Sequence, residues 1–233
     1  MMAVSAALVK MVPMDPPTVS VCLPARDEAE TVGTIVERIA PLAVVDEVVV
    51  VDDGSTDATA RLAAAAGATV VPSGGTGKGA ALWTAVQAAK GDLLVFCDAD
   101  LVGFDPAFVE RLVAPLLGDE RIGFVKGRYE RVGEGGRVTE LVARPLIELL
   151  FPHLSVFDQP LAGEFAARRD VLEHVAFADG YGIDLGLLID VVARIGLDRA
   201  VQVDLGVKRH RNRPLAELGV QAREVLRAAL ARA

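Results

Sequence analysis

Short apolar runs alternate with segments of helical periodicity through the first hundred residues. Residues 19–23 predict a buried strand that stops at Pro24, and residues 27–40 carry apolar side chains at the spacing of one helix face. A second strand is predicted over residues 46–51. Because a strand, a helix and a strand follow one another, we expect a parallel pair joined by a right-handed crossover.

The same alternation continues to residue 97. It predicts a helix over 56–66, a strand over 68–71, a glycine-rich loop over 73–79, a helix over 80–89 and a strand over 93–97. Strands that alternate with helices are typical of an α/β fold, here a Rossmann-like, mostly parallel sheet flanked by helices. In such sheets, ligands bind beyond the carboxyl ends of the strands.

The second half of the chain has a less regular pattern. It predicts a strand over 123–126, a helix that begins near Val138, an apolar helix over 183–195 and a strand over 201–207. From Leu215 onward, the alanine-rich and arginine-rich tail predicts an amphipathic helix. We find no internal repeat and no linker that would divide the chain into separate domains.

The composition describes a folded, acidic protein. Of the 233 residues, 52% are hydrophobic and 24% are charged, and the formal net charge is −8. A disordered chain would contain fewer apolar residues, and a general nucleic-acid-binding protein would carry a basic domain. Aromatic residues make up 5% of the chain, which argues against base stacking as a main activity. We therefore expect no nucleic-acid partner.

The two cysteines, Cys22 and Cys97, lie inside apolar runs, where a thiol usually acts as a small hydrophobic side chain. They indicate no disulfide framework. The first residues lack the basic start and the cleavage site of a signal peptide. No apolar stretch reaches the roughly 18 to 20 residues that a membrane-spanning helix needs. We expect a cytoplasmic protein without membrane insertion.

Candidate chemistry begins with two aspartates that follow an apolar strand. Asp98 and Asp100 are one residue apart at the predicted ligand-binding edge of the sheet. Mg²⁺ needs only one or two protein carboxylates when phosphate oxygens and water complete its coordination shell. The alternative is a solvated turn or a helix cap, because aspartate is common at both.

Two further polar loops follow earlier strands. Asp52 and Asp53 precede a glycine. Capping of the next helix does not explain two adjacent acids at this position. The glycine-rich loop before Lys78 differs from a Walker A phosphate loop, because Pro72 replaces its first glycine and Gly79 follows the lysine. It still brings a lysine and backbone N–H groups toward a phosphate. A flexible loop with an exposed lysine is the alternative.

Two known classes of site fit these loops poorly. A haloacid-dehalogenase-like phosphatase has a threonine or serine two residues after the second aspartate, where this chain has Val102. A nucleotidyltransferase has a glycine-rich, basic loop after its first strand, where this chain has the sequence PARDE at residues 24–28. Both classes are therefore disfavoured.

Taken in order, several motifs resemble one enzyme family. The segments LPARDE, VDDGSTD, GKG and DAD resemble the nucleotide-sugar half of GT-A glycosyltransferases; they lie at residues 23–28, 51–57, 77–79 and 98–100. Three later segments resemble the glucosyl-3-phosphoglycerate synthases; they lie at residues 136–146, 180–190 and 210–215. The resemblance implies a GT-A fold over one domain, 19–233, after a flexible extension, 1–18. Residues 19–102 would form the nucleotide-sugar half, and residues 103–233 the acceptor half with the C-terminal helix.

The resemblance implies an activity and a set of roles. Glucose would pass from UDP-glucose to the C2 hydroxyl of 3-phosphoglycerate, with retention of the α configuration and with Mg²⁺ or Mn²⁺ as cofactor. The donor would contact Pro24, Ala25, Arg26, Glu28, Asp53, Lys78, Asp98 and Ala99. The metal ligands would be Asp100 and His210. The acceptor would contact Gly136, Arg137, Val138, Thr139, Tyr181, Arg211 and Asn212. Asp100, Asp184 and Glu164 would be the catalytic residues, and the enzyme would be a homodimer.

Some features leave alternatives open. The family resemblance implies glutamate where this chain has Asp184, and the segment between residues 130 and 136 is short for the family. A related transferase that uses GDP-mannose, another nucleotide sugar or an unphosphorylated acceptor is therefore an alternative. A second alternative is a nucleotide-sugar-binding protein without turnover. Without the resemblance, His210 in its basic cluster would be interpreted as a surface residue.

Overall fold

The computed structural model describes residues 16–75, 77–131, 136–178, 180–208 and 215–233. Its seven strands are β1 (Val19–Ala25), β2 (Glu47–Asp52), β3 (Thr69–Pro72), β4 (Leu93–Phe96), β5 (Phe124–Arg131), β6 (Phe165–Arg168) and β7 (Ala200–Lys208). Its α-helices are α1 (Val32–Ile39), α2 (Thr59–Ala65), α3 (Lys78–Ala88), α4 (Ala107–Gly118), α5 (Arg144–Leu150), α6 (Arg169–Leu172), α7 (Ile183–Ile195) and α8 (Leu215–Leu230). A π-helical turn, Thr139–Ala143, precedes α5, and 3₁₀ turns cover Pro152–Val156, Gly180–Gly182 and Leu197–Arg199.

The strands form one mixed sheet in the order β3-β2-β1-β4-β6-β5-β7. Strand β1 is parallel to β2 and β4, β2 is parallel to β3, and β5 is parallel to β7. Strand β6 runs antiparallel to both of its neighbours, β4 and β5. The predicted α/β fold with a mostly parallel sheet is confirmed. The chain order reverses between β1 and β4, which is where open α/β sheets bind ligands.

Alternate residues of the central strands pack against helices on opposite faces. Val21 and Val95 belong to one apolar cluster with helices α1 and α4. Cys22 and Phe96 belong to a second cluster with helices α3 and α7. This two-sided burial explains why the strands read as continuous apolar runs. Among the described residues, no helix is long and apolar enough to cross a membrane.

Strand β1 continues through Pro24, although we predicted that it would stop there. The carbonyl of Cys22 accepts a hydrogen bond from Cys97 N, so the even-numbered residues of β1 pair toward β4. Strand β4 ends at Phe96, so the N–H that Pro24 lacks falls where β4 leaves the sheet. The proline therefore removes no hydrogen bond from the ladder between β1 and β4. The chain after β4 separates from β1 beside Pro24.

The first helix begins at Val32, five residues after the predicted start. Asp27 has a positive φ of 55°, and its carboxylate accepts a hydrogen bond from Thr56 N at 2.8 Å. Glu28 N donates to the hydroxyl of Thr59 at 2.8 Å. These contacts between the loops after β1 and β2 replace the first helical turn. In contrast, α3 begins two residues earlier than predicted and includes Lys78.

Three elements have no counterpart among the predictions. They are α4, β6 and α6. The sequence of β6, Phe-Ala-Ala-Arg, has no strand preference in its alanines. It is a strand because it fills the space between β4 and β5, where Phe165 stacks on Phe96 with ring centroids 4.5 Å apart.

Arg169 joins the end of α3 to the start of β4, at the edge of the sheet opposite the polar loops. Its guanidinium donates to the carbonyls of Gly91 and Val86 at 2.8 Å and to that of Ala89 at 2.6 Å.

We predict that Arg169→Met lowers the free energy of unfolding by about 3 kcal/mol, because buried carbonyls lose a charged donor. Urea denaturation measures this change.

Arg199→Met is the matched control. Arg199 Nε donates to the carbonyl of Arg121 at an exposed position, so its replacement should cost less than about 1 kcal/mol. Equal losses in the two variants would contradict the role assigned to Arg169.

Candidate functional site

A cavity of about 590 Å³ opens at the carboxyl ends of β1, β2 and β4. The predicted site residues that line it are Pro24, Ala25, Arg26, Glu28, Asp53, Lys78, Asp98, Ala99, Asp100, Gly136, Arg137, Val138, Thr139, Tyr181 and Asp184. The fold therefore brings residues from both predicted halves of the chain to one cavity. His210, Arg211 and Asn212 lie outside the described residues.

The paired acids at the end of β2, Asp52 and Asp53, have different roles. Asp52 accepts a hydrogen bond from Ser55 N at 3.1 Å and stabilises the turn. Asp53 faces the cavity and accepts from Gly77 N with both oxygens, at 3.1 and 3.0 Å. The side chain of Arg26 approaches Asp53 at 4.0 Å. One acid therefore shapes its own loop, and the other holds the glycine-rich loop at the edge of the cavity.

Lys78 lies between two carboxylates from distant parts of the chain. Its ammonium is 3.0 Å from Asp184 Oδ1 and 3.6 Å from Asp98 Oδ1. Burial lowers the pKa of Lys78, but the two carboxylates outweigh burial and raise the net pKa above its ordinary value. Lys78 is therefore a permanent cation on the floor of the cavity.

The Asp98–Asp100 segment offers hard oxygen ligands. A Cβ added to Gly163 would lie 2.5 Å from Asp98 Oδ1, so Gly163 leaves the room that this carboxylate occupies. Among the described residues, no group of three or more histidine, cysteine, aspartate or glutamate side chains could hold a metal. Two carboxylates on the lining of this cavity nevertheless fit Mg²⁺ or Mn²⁺, because phosphate and water complete such sites.

The opposite wall provides N–H groups and a cation. Gly136 has a positive φ of 82°, and the chain enters helical geometry directly after it. Arg137 and Thr139 of this segment face the cavity, and Thr139 is 4% exposed. A guanidinium beside the first turn of a helical segment is an arrangement that binds phosphate.

Helix α8 forms a wall of the cavity that the sequence analysis did not include. Its contributing residues are Leu218, Gln221, Glu224 and Val225. Glu224 Oε2 accepts a hydrogen bond from Tyr181 N at 2.7 Å. The periodicity of the tail indicated an amphipathic helix, but it contained no information about which surface that helix covers. Tyr129 and Leu161 are two other lining residues that we did not predict.

Glu164 lies beneath the cavity. Its side chain is fully buried, and it is not among the residues that line the cavity. Its backbone carbonyl accepts a hydrogen bond from Gly127 N at 2.9 Å, within the sheet. The assignment of Glu164 as a catalytic residue stays a prediction.

Lys126 is a buried cation that the sequence analysis missed. Its Nζ donates to the backbone carbonyl of Asp184 at 3.3 Å and lies 5.7 Å from the centre of the Phe165 ring. Burial lowers the pKa of Lys126, Asp184 raises it and Lys78 lowers it, and together they bring this pKa from 10.5 to about 8. A lysine inside the apolar run Phe-Val-Lys-Gly was the available sequence signal, because an unpaired lysine is rarely buried.

The arrangement has a clear chemical polarity. Two carboxylates for a cation, Asp98 and Asp100, lie on the same cavity as the cations Lys78 and Arg137. A ligand with a diphosphate at one end and a second anionic group at the other would satisfy both sets. The net charge of the chain is negative, but the cations Lys78 and Arg137 lie on the cavity surface.

The sequence profile of glycosyl transferase family 2 matches residues 20–175. A relative from Mycolicibacterium paratuberculosis, glucosyl-3-phosphoglycerate synthase, is 48% identical and aligns with 92% of this chain and 72% of its own length.

Two crystal structures of glucosyl-3-phosphoglycerate synthase from Mycobacterium tuberculosis are also similar. The first, in complex with Mn²⁺, UDP-glucose and phosphoglyceric acid, matches with a TM-score of 0.89 at 49% identity over 93% of this chain and 79% of that chain. The second, in complex with Mg²⁺ and UDP, matches with a TM-score of 0.88 at the same identity and coverage.

Lys126 generates a prediction about stability and pH. The native chain loses the Lys126 proton near pH 8 and the unfolded chain near pH 10.5, so folding gains stability as the pH rises between these values. Relative to Lys126→Met, the free energy of unfolding of the natural chain should rise by about 3 kcal/mol over this interval. Urea denaturation without added divalent cations measures it.

The control for this series is Lys90→Met, which removes an exposed lysine. The rise expected for Lys126 is measured relative to this control over the same pH interval. A pH-independent difference between the natural chain and Lys126→Met would contradict the prediction.

Proposed function

Because this chain belongs to glycosyl transferase family 2 and, within it, to the glucosyl-3-phosphoglycerate synthases, we propose that it transfers glucose from UDP-glucose to 3-phosphoglycerate with the help of a divalent metal. The observation that carries the proposal is the single cavity on which the predicted donor and acceptor residues converge. A binding protein without turnover is the weaker alternative, because Asp100, Lys78 and Arg137 are all in place on that cavity.

The donor is proposed to lie across the ends of β1, β2 and β4. The loop of Pro24, Ala25, Arg26 and Glu28 would contact the base, and Asp53 would contact the ribose. Asp53 already accepts two hydrogen bonds from Gly77 N, so its carboxylate has a fixed position before the donor binds. Lys78 would approach the diphosphate end of the donor and keep its positive charge there.

Asp100 and His210 are the proposed metal ligands, with Asp98 and Ala99 beside the donor. When bound, the metal supplies positive charge that stabilises the departing UDP. Asp98 is oriented by Lys78, whose ammonium lies 3.6 Å away. Either Mg²⁺ or Mn²⁺ suits oxygen ligands with one imidazole.

The acceptor is proposed to bind between the two walls of the acceptor half. Arg137, with the backbone N–H groups after Gly136 and the hydroxyl of Thr139, would hold the phosphate. Arg211 and Asn212 would orient the carboxylate, and Tyr181 would cover the glycerate. This arrangement would direct the C2 hydroxyl toward the donor sugar, and it would suit an acceptor with two anionic ends.

The transfer needs no carboxylate base in this scheme. The bond from the sugar C1 to the diphosphate oxygen breaks, the bond from C1 to the acceptor oxygen forms on the same face, and the departing phosphate takes the hydroxyl proton. Glu164 is fully buried beneath the cavity, so we assign it to the support of the site. Asp184, beside Lys78 at 3.0 Å, is the carboxylate proposed to contact the sugar.

We place the enzyme in the cytoplasm and expect a homodimer. Both cysteines are buried and form no disulfide with each other, as is usual in reducing compartments. Exposed leucines on the segment around α5, Leu141 and Leu149, support a contact between two copies.

Turnover tests the proposal directly. The protein, incubated with UDP-glucose, 3-phosphoglycerate and Mg²⁺, should release UDP, and removal of the metal with a chelator should stop the release. Asp100→Ala and His210→Ala should each lower metal-dependent turnover by about a hundredfold or more, because each removes a proposed metal ligand.

Asp198→Ala and His153→Ala are the matched controls, since both residues are exposed and neither lines the cavity. Both should keep full activity. Full activity in Asp100→Ala or His210→Ala would remove that residue from the metal site, and no turnover with any nucleotide sugar would refute the proposal.

Asp184 generates a separate prediction about donor choice. Asp184→Asn keeps the shape of the side chain but removes the charge that holds Lys78, so we expect kcat/KM for UDP-glucose to fall about a hundredfold. Asp158→Asn, at an exposed ion pair with Arg128, should have no effect. Competition between UDP-glucose and GDP-mannose in both variants shows whether Asp184 also selects the sugar; an unchanged kcat/KM would contradict its role.

A further inference from the structure

An ion pair attaches the end of the chain to helix α7, away from the proposed chemistry. Arg232 Nε is 2.8 Å from Asp190 Oδ1, and Arg232 Nη2 is 2.6 Å from Asp190 Oδ2. Arg232 Nη1 also donates to the carbonyl of Ala228 at 2.9 Å, which ties the pair to the last turns of α8. Both side chains are largely buried, at 16% and 24% exposure, so water screens this pair less than an exposed one.

Helix α7 is shaped to receive α8 at close range. Gly186 and Asp190 are four residues apart on one face of α7, and Gly182, directly before the helix, precedes Gly186 by four residues. A Cβ added to Gly186 would lie 3.1 Å from the centre of the Arg232 guanidinium. A Cβ added to Gly182 would lie 2.7 Å from the carbonyl oxygen of Glu224. The two helices are therefore in contact along this face from the cavity to the ion pair.

The cavity end of α8 fixes the loop that carries Tyr181. The carboxylate of Glu224 accepts a hydrogen bond from Tyr181 N at 2.7 Å, and a Cβ added to Gly180 would lie 2.5 Å from the same carboxylate. Gly180 in turn packs against Gly77 of the glycine-rich loop. Glu224 is eight residues before Arg232, about 12 Å along the helix axis. A shift of α8 would therefore move the support of Tyr181.

We infer that Arg232 and Asp190 are positioning residues for the acceptor, because their ion pair clamps α8 on α7 and so holds Glu224 against the Tyr181 loop. This inference rests on the proposed function, since it assigns Tyr181 to the acceptor side of the cavity. Neither residue lines the cavity. Their replacement should therefore affect the KM for 3-phosphoglycerate while leaving kcat and the KM for UDP-glucose nearly unchanged.

The test compares Arg232→Met, Asp190→Asn and the double variant with the natural chain. Each should raise the KM for 3-phosphoglycerate about tenfold. The double variant should be no worse than either single variant, because one interaction is lost in all three. Arg232→Lys, which keeps the charge, should restore part of the loss. Arg194→Met, at an exposed position on α7, is the control and should leave the KM unchanged.

A second measurement does not depend on turnover. Hydrogen exchange of the Tyr181 amide should be faster in Arg232→Met than in the natural chain, while amides of β1 keep their rates. If the natural chain releases no UDP, the proposed function fails, and the exchange rates alone decide the inference. Unchanged exchange at Tyr181, equal acceleration throughout the sheet, or an unchanged KM in an active enzyme would each overturn it.

Discussion

The ammonium of Lys78 holds together parts of the site that are far apart in the sequence. It lies between Asp98, which follows β4, and Asp184, at the start of α7. This contact joins the first and second halves of the chain at the cavity. Because a buried carboxylate without a counter-charge costs several kcal/mol, the two acids require the lysine as much as the lysine requires them. The geometry of this part of the cavity follows from this mutual dependence.

Buried charge beneath the cavity extends the same principle. Lys126 contacts the backbone of Asp184 from below, and Glu164 lies nearby in the sheet. Two lysines, Lys78 and Lys126, and three acids thus share one poorly solvated region; the acids are Asp98, Glu164 and Asp184. Their charges nearly balance, which allows polar groups to lie under a site that must bind anionic substrates. This balance of charge requires fixed positions for these side chains, and the surrounding sheet and helices hold them in place.

Helix α8 turns a groove into a cavity. The sheet and its loops provide the floor and two sides, whereas α8 adds Gln221 and Glu224 along the remaining wall. Close contact between α7 and α8 depends on glycines at 182 and 186, where a larger side chain would meet α8 or its arginine. The wall of the cavity around Tyr181 thus depends on helix packing, and the proposed donor side depends on loops attached to strands.

Local pattern in the sequence determined the strands β1 to β4, the limits of α7 and the loops at the carboxyl ends of the strands, because apolar periodicity and turn residues act over a few positions. The motifs within those loops resembled GT-A glycosyltransferases, and three later segments narrowed the resemblance to the glucosyl-3-phosphoglycerate synthases. Only the tertiary structure decided that β6 is a strand, that Lys126 and Glu164 lie beneath the cavity and that Glu224 reaches Tyr181. Those contacts join residues tens of positions apart. Apolar periodicity in the sequence indicates which side chains are buried, but it does not indicate which residues they contact.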